Sequence, residues 1–113
     1  MMELTDVSKT AIVTLRSHII ESEKSRPIIN DPMARYCLDK LISMFSGNDH
    51  VQILNRKLSA ALTRHIAIRA RKYDSIINDF ILKNPGCVVV SLGCGFDTRY
   101  WRINHHECEY ISI

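Results

Sequence analysis

The spacing of the apolar residues changes near residue 84. Before this point, apolar residues recur every three or four positions, which is the repeat of a helix with one buried face. After it, residues 87–92 form a short run rich in valine, with the length and composition of a strand buried on both faces. The Asn-Pro-Gly sequence at 84–86 separates the two parts, because proline and glycine interrupt helices. The chain is therefore predicted to begin with helices and to continue into a sheet.

The helical part contains two long stretches with this spacing. The first covers residues 6–24. The helix is expected to end near Arg26, because Pro27 disfavours helical geometry in the residue before it. The other covers residues 51–82, either as one long helix or as two helices joined by a kink. In both stretches the apolar residues line one helical face.

A further helix is predicted between these two. It begins at the Asp31-Pro32 step, where the carboxylate can accept from free backbone N–H groups and proline fills the first helical position. It is expected to run to residue 45 or 46. Gly47 and Asn48 follow, and these residue types commonly end helices in the left-handed conformation.

The elements after residue 84 predict the fold class. The first strand is followed by a glycine turn, a short helix from Asp97 and a second strand at residues 109–113. This order is the opening β-α-β of a doubly wound α/β sheet. We assign residues 1–84 to a helical N-terminal region and residues 85–113 to the start of a Rossmann-like domain. Such a sheet normally needs several more strand and helix units to cover both of its faces.

Composition and charge limit the classes of function. With 113 residues, 46% of them hydrophobic and 24% charged, the chain is globular and forms one small domain at most, which argues against a complete enzyme for two substrates. The net charge of +3 is mild and the basic residues are interrupted by apolar ones, so no nucleic-acid-binding surface is predicted. The longest apolar run, residues 88–90, is far too short for a membrane span, and residues 1–9 lack the apolar core of a secretory signal.

The cysteines and histidines predict neither a disulfide nor a metal site. The four cysteines lie far apart without a C-x-x-C pair, so we expect free thiols and a cytoplasmic location. These residues are Cys37, Cys87, Cys94 and Cys108. His105 and His106 lack the regular spacing of a zinc site, and no metal is predicted. His65 lies among apolar residues and is expected to be a core or boundary residue rather than a general base.

The first strand leads directly into Gly93-Cys94-Gly95. Glycine permits a positive φ and lets the backbone approach a ligand more closely than any Cβ allows. A dinucleotide-binding turn requires a third glycine where this chain has Thr98, and the turn lacks the Lys-Ser or Lys-Thr pair of a phosphate-binding loop. A cofactor without a pyrophosphate fits better. By itself, the turn is also compatible with a simple connection between a strand and a helix.

Four segments of the chain resemble the leucine carboxyl methyltransferase family, which includes polyketide-type O-methyltransferases. The main one is Ser-Leu-Gly-Cys-Gly-Phe-Asp-Thr-Arg-Tyr-Trp-Arg-Ile at 91–103. The others are Ser-Lys-Thr-Ala at 8–11, Asn-Asp-Pro-Met-Ala at 30–34 and Ile-Arg-Ala-Arg-Lys-Tyr-Asp at 68–74. The resemblance covers nearly the whole chain. Its most specific part is residues 93–99, because Asp-Thr-Arg after the glycine turn is unusual in other Rossmann-like methyltransferases.

The resemblance implies that the chain is the N-terminal part of an O-methyltransferase that uses S-adenosylmethionine. It also implies that Arg69 binds the methionine carboxylate of this cofactor, a role that suits a guanidinium because it can form two parallel N–H contacts. The glycine turn is expected to lie against the methionine part. The predicted cofactor-binding residues are Arg69, Gly93, Cys94, Gly95, Asp97 and Thr98. From composition alone, Arg69 and Arg71 also fit solvated helix residues, with Arg71 paired to Asp74.

Asp97, Thr98 and Arg99 have a second interpretation, in which they cap the next helix and brace the turn without contacting a ligand. The family's acidic residue for the ribose hydroxyls is expected after Ile113. The methyl acceptor is a small molecule or a protein C-terminal carboxylate. A carboxylate is already ionised near neutral pH, whereas a hydroxyl needs a base, and the sequence identifies none.

Two other functions stay open at this point. One is a Rossmann-type protein that binds a different nucleotide, and the other is a non-catalytic helical interaction module. The Asp-Thr-Arg sequence after the turn, residues 97–99, favours the methyltransferase over the first. Whichever of these functions the chain has, its exposed strand edges are expected to favour self-association.

Overall fold

A computed structural model describes residues 6–44, 52 and 54–113, with only the backbone described for residues 6–8. Helices come first in the chain and the strands follow, as the sequence predicts. The elements are α1 (Asp6–Ser22), α2 (Pro32–Met44), α3 (Ala60–Lys83), β1 (Val88–Ser91), α4 (Arg99–Arg102), a 3₁₀ turn (His105–Glu107) and β2 (Glu109–Ser112).

The helix boundaries follow local capping interactions. Helix α1 ends at Ser22, slightly earlier than predicted. Helix α2 begins at Pro32, and Asp31 caps it because its Oδ1 accepts from the Ala34 N–H at 3.2 Å. The predicted end of α2, at residues 45–48, lies outside the described residues.

The predicted stretch 51–82 is not one continuous helix, because residues 54 and 55 are helical and the non-helical residues 56–59 separate them from α3. This agrees with the alternative of two helices, of which α3 is the second. Helix α3 begins at Ala60, since the Ser59 hydroxyl accepts from the Leu62 N–H at 3.1 Å. At its other end, Asn84 donates to the carbonyls of the last turn. The following proline and glycine at 85 and 86 then lead the chain into β1, as predicted.

The two strands pair in parallel. Val88 is opposite Glu109 and Val90 is opposite Ile111. Because parallel neighbours need a crossover connection, this pairing with α4 between the strands confirms the predicted β-α-β order. The result is a mainly helical structure with a small two-stranded parallel sheet, which is compatible with the predicted α/β class.

The apolar core lies mainly between the helices. Helices α1 and α2 bury one cluster of side chains, and α3 packs against α1 and the segment before α2 with a second, smaller one. The buried residues of the first are Ile12, Leu15, Ile19, Ala34, Leu38 and Leu41. Those of the second are Ile29, Ala67 and Ala70. This core fixes α1 and α3 beside each other, and both helices border the cleft described below.

The prediction that β1 is buried on both faces is wrong in this structure. Val88 and Val90 are about half exposed, and the outer apolar face of α3 is similarly exposed at Ile76 and Phe80. The physical reason is that the described long helices pack mainly against one another, while the main partner of β1 is β2. Despite these exposed residues, none of the described helices is long and apolar enough to cross a membrane.

Candidate functional site

A cleft of about 400 Å³ lies where α1, α3 and the glycine turn meet. This volume is within the usual range for sites that bind small molecules. All six predicted cofactor-binding residues line it, namely Arg69, Gly93, Cys94, Gly95, Asp97 and Thr98. The structure thus brings the arginine of α3 and the turn after β1 into one site, while their ligand stays a prediction.

The glycine turn has an open surface toward the cleft. Gly93 and Gly95 have φ values of +57° and +48°, which residues with a Cβ rarely adopt. Apart from the glycine itself and its two chain neighbours, no described residue has an atom within 4 Å of the position that a Cβ would occupy on either glycine. The Cys94 N–H donates to the Ile113 carbonyl, and the Cys94 carbonyl accepts from the Asp97 N–H. A ligand would therefore approach the glycines, since the backbone polar groups of Cys94 already have partners.

Three arginines line the cleft, but two of them are paired within the protein. Arg102 Nε donates to Asp74 Oδ2 at 2.7 Å, and Arg99 Nε donates to Asp74 Oδ1 at 3.2 Å. Within the part of the chain that the structure describes, Arg69 has no carboxylate partner, and its guanidinium lies 5.9 Å from the centre of the Tyr73 ring. Arg69 is therefore the cleft guanidinium that is available to an anionic ligand.

The expected pair between Arg71 and Asp74 does not form. The Asp74 carboxylate is directed instead toward the segment after the glycine turn, where Arg99 and Arg102 donate to both of its oxygens. Arg71 is exposed on α3. The local spacing of three residues suggested the wrong partner, because the actual partners lie 25 and 28 positions further along the chain.

A buried carboxylate, Asp31, connects the helices to the glycine turn. It is 1% exposed and accepts from four groups. His18 Nδ1 and Thr98 Oγ1 lie 2.8 Å and 2.5 Å from Oδ2, Arg102 Nη1 lies 3.1 Å from it, and the Ala34 N–H donates to Oδ1. Burial raises the pKa of Asp31, but the hydrogen bonds from His18 and Thr98 and the positive charge of Arg102 lower it overall. Asp31 is therefore an ionised hydrogen-bond acceptor.

The same arrangement extends from Asp31 to Asp74 through Arg102. The Arg102 side chain is 6% exposed, and burial lowers its pKa, but hydrogen bonds and charge from Asp74 and the charge of Asp31 raise it overall. Sequence reasoning identified Asp31 only as a helix cap and missed His18, Asp74 and Arg102 as parts of one network. The residues that pair in this network lie 13 positions apart for His18 and Asp31 and 71 positions apart for Asp31 and Arg102, so no local sequence pattern indicates these contacts.

The residues after the turn mainly bind other parts of the protein. Asp97 Oδ1 accepts from the Arg99 N–H, and Asp97 Oδ2 accepts from Arg99 Nη1, both at 3.0 Å. Thr98 is buried, and its hydroxyl donates to Asp31 and accepts from Arg102. These contacts correspond to the interpretation in which Asp97, Thr98 and Arg99 brace the turn. Contact of Asp97 or Thr98 with a cofactor stays a prediction.

One of the histidines near the candidate site is placed differently from its prediction. His65 is exposed at the cleft, so its prediction as a core or boundary residue is wrong. His105 stacks on Tyr100 with ring centres 4.3 Å apart, in a cluster of aromatic rings near β2. Among the described residues, no group of three His, Cys, Asp or Glu side chains is placed to hold a metal ion.

Comparison with known proteins identifies the family. The sequence profile described as Leucine carboxyl methyltransferase matches residues 11–112. The chain belongs to the leucine carboxyl methyltransferase family. This result confirms the resemblance drawn from the glycine turn and the segments before it.

Two curated relatives of this family show how much of a longer protein the chain covers. It is 28% identical to the tetracenomycin polyketide synthesis O-methyltransferase TcmP of Streptomyces glaucescens, over 99% of this chain and 39% of that protein. It is 29% identical to the S-adenosyl-L-methionine-dependent methyltransferase dpfgK of Gibberella zeae, over 88% of this chain and 34% of that protein. The chain thus spans less than two fifths of the length of these relatives. No solved structure matches it.

Proposed function

We propose that this chain forms the part of an S-adenosylmethionine-dependent O-methyltransferase that binds the methionine end of the cofactor, as the start of a Rossmann-like domain. The family profile and the two relatives support methyl transfer from this cofactor. The observation that carries the proposal is the position of Arg69. Its guanidinium borders the cleft beside the open glycine turn and has no carboxylate partner among the described residues.

The residues of the cleft fit the methionine end of the cofactor. Its carboxylate suits the guanidinium of Arg69, since the two groups can form parallel hydrogen bonds. The centre of the Tyr73 ring lies 5.9 Å from this guanidinium, within the distance of a cation–π contact. Gly93 and Gly95 leave room for a ligand to reach the backbone.

When bound, the cofactor supplies an electrophilic methyl group on a sulfonium. The residues of this chain hold its methionine end and help to align it with the acceptor, which is the main catalytic requirement for an in-line displacement. We propose an oxygen acceptor, either a hydroxyl or a carboxylate, because a relative is named as a polyketide synthesis O-methyltransferase. The four free cysteines support a reducing compartment, and we propose the cytoplasm.

Calorimetric titration with two ligands tests the role of Arg69. S-adenosylhomocysteine carries the amino acid end, whereas 5′-methylthioadenosine lacks it. Arg69→Ala should weaken binding of the first ligand by about 1.5–3 kcal/mol, the range for a hydrogen bond to a charged group, or roughly 10- to 150-fold. Binding of the second ligand should change little. Arg71→Ala is the matched control, because Arg71 is exposed on the same helix and lies outside this cleft.

Thermal melts of each variant accompany the titrations, since the stem of an arginine also packs and its loss can destabilise a protein. Equal losses for Arg69→Ala and Arg71→Ala would contradict the assignment of Arg69. Equal losses for the two ligands would show that Arg69 does not act on the carboxylate. No binding of S-adenosylhomocysteine by the wild-type protein would contradict the proposed function itself.

A further inference from the structure

His18 is a buried histidine that borders the cleft. It lies on α1, is 5% exposed, and lines the cleft together with the glycine turn and Arg69. Its Nδ1 is 2.8 Å from Asp31 Oδ2. An ionised carboxylate only accepts, so Nδ1 donates the proton of this hydrogen bond. In the described part of the chain, Nε2 has no hydrogen-bond partner, and it is the ring nitrogen left for a molecule in the cleft.

The surroundings of His18 hold its ring in one orientation. Thr98, Arg102 and the Ala34 N–H also donate to Asp31, so the carboxylate that orients the imidazole is held by three further hydrogen bonds. A carboxylate bonded to Nδ1–H selects the tautomer whose lone pair is at Nε2. This is the arrangement in which a histidine accepts a proton from a bound hydroxyl group.

We propose that His18 is the general base for a hydroxyl acceptor in this cleft and that Asp31 is the residue that positions it. The inference rests on the proposed function and selects a hydroxyl over a carboxylate as the acceptor. Nε2 takes the proton of the acceptor O–H, and the oxygen forms a bond to the methyl carbon. The carbon–sulfur bond breaks, and its electron pair stays on sulfur. A carboxylate near neutral pH has no proton to give and would not need this base.

4-Nitrophenol is a suitable probe, because its visible absorption reports whether its hydroxyl is ionised. Added to the protein below the pH at which the free phenol ionises, the bound probe should show the phenolate band. In parallel, the ¹⁵N resonance of His18 Nε2 should move from the unprotonated to the protonated position as the probe binds.

Two histidine variants provide a matched comparison. In His18→Asn, the amide nitrogen can take the place of Nδ1 and keep the hydrogen bond to Asp31, while Nε2 is removed. This variant should lose the phenolate band. His106→Asn removes an exposed histidine that does not line the cleft, and it should retain the band.

Three results would overturn the assignment of His18. They are no binding of the probe at millimolar concentration, binding without ionisation, and equal ionisation by wild type and His18→Asn. Should His18→Asn not fold, the ¹⁵N spectrum of the wild type decides, and an Nε2 resonance unmoved by the probe would overturn the proposal. Calorimetry with S-adenosylhomocysteine tests the proposed cofactor binding separately from the role of His18. Binding of this ligand without phenolate formation contradicts only the role of His18, whereas its failure to bind contradicts the proposed function.

Discussion

The polar junction around Asp31, where the helices meet the glycine turn, differs from the sheet. Its buried polar groups have hydrogen-bond partners, whereas the apolar side chains of the sheet are partly exposed. At the junction, the Asp31 carboxylate receives hydrogen bonds from α1, α4 and the segments next to them. In the sheet, Val90 and Ile111 lie opposite each other and are each nearly half exposed. The polar end of the cleft is therefore specified by contacts within the described residues, whereas the apolar surface of the sheet is not covered by them. This difference predicts opposite sensitivities to substitution.

The largest effect is expected at Asp31. Asp31→Ala removes the carboxylate that pairs with buried Arg102 and His18, and loss of one partner of a buried ion pair typically costs about 3–5 kcal/mol. Asp39→Ala is the control, because Asp39 is exposed on α2, and surface changes usually alter the free energy of unfolding by about 0.5 kcal/mol or less. Urea unfolding of the two variants measures both values. Similar losses would show that the polar junction contributes no more than an ordinary surface carboxylate.

A small effect on stability but a clear effect on association is expected in the sheet. We expect the protein to self-associate through the open edges and faces of β1 and β2, because unpaired strands attract further strands. Val90→Lys should reduce this association, measured by sedimentation over a range of concentrations, and should change the free energy of unfolding by about 1 kcal/mol or less. Charged side chains commonly protect strand edges in this way.

Leu82→Lys controls for the added charge, because Leu82 is exposed on α3 and lies outside the strands. Equal reductions by Val90→Lys and Leu82→Lys would assign the effect to net charge rather than to the sheet. A wild-type protein that stays monomeric at all concentrations would contradict the proposed self-association.

The sequence was sufficient for the local features of the fold. Helix starts such as Asp31-Pro32, the change of apolar spacing before β1 and the positive φ values of Gly93 and Gly95 all depend on neighbouring residues, and the structure confirms them. The burial of β1 was predicted wrongly, because its valine-rich composition indicates a covered strand and the described residues do not cover it.

The candidate site was only partly predictable. The family resemblance identified Arg69 and the glycine turn, and the structure places both at one cleft. The role of Asp31 beyond capping, and its links to His18 and Arg102, depend on contacts between distant segments. In the same way, the local spacing paired Asp74 with the wrong arginine.

Amide NMR during titration with S-adenosylhomocysteine can show whether the cofactor binds at the cleft or at the exposed apolar surfaces. The largest shift changes are expected at Gly93, Gly95 and Arg69, while Ile76 and Phe80 on the outer face of α3 should stay unchanged. Shift changes confined to that outer face or to the exposed side of the sheet would contradict the proposed cofactor site, as would a spectrum that the ligand does not alter.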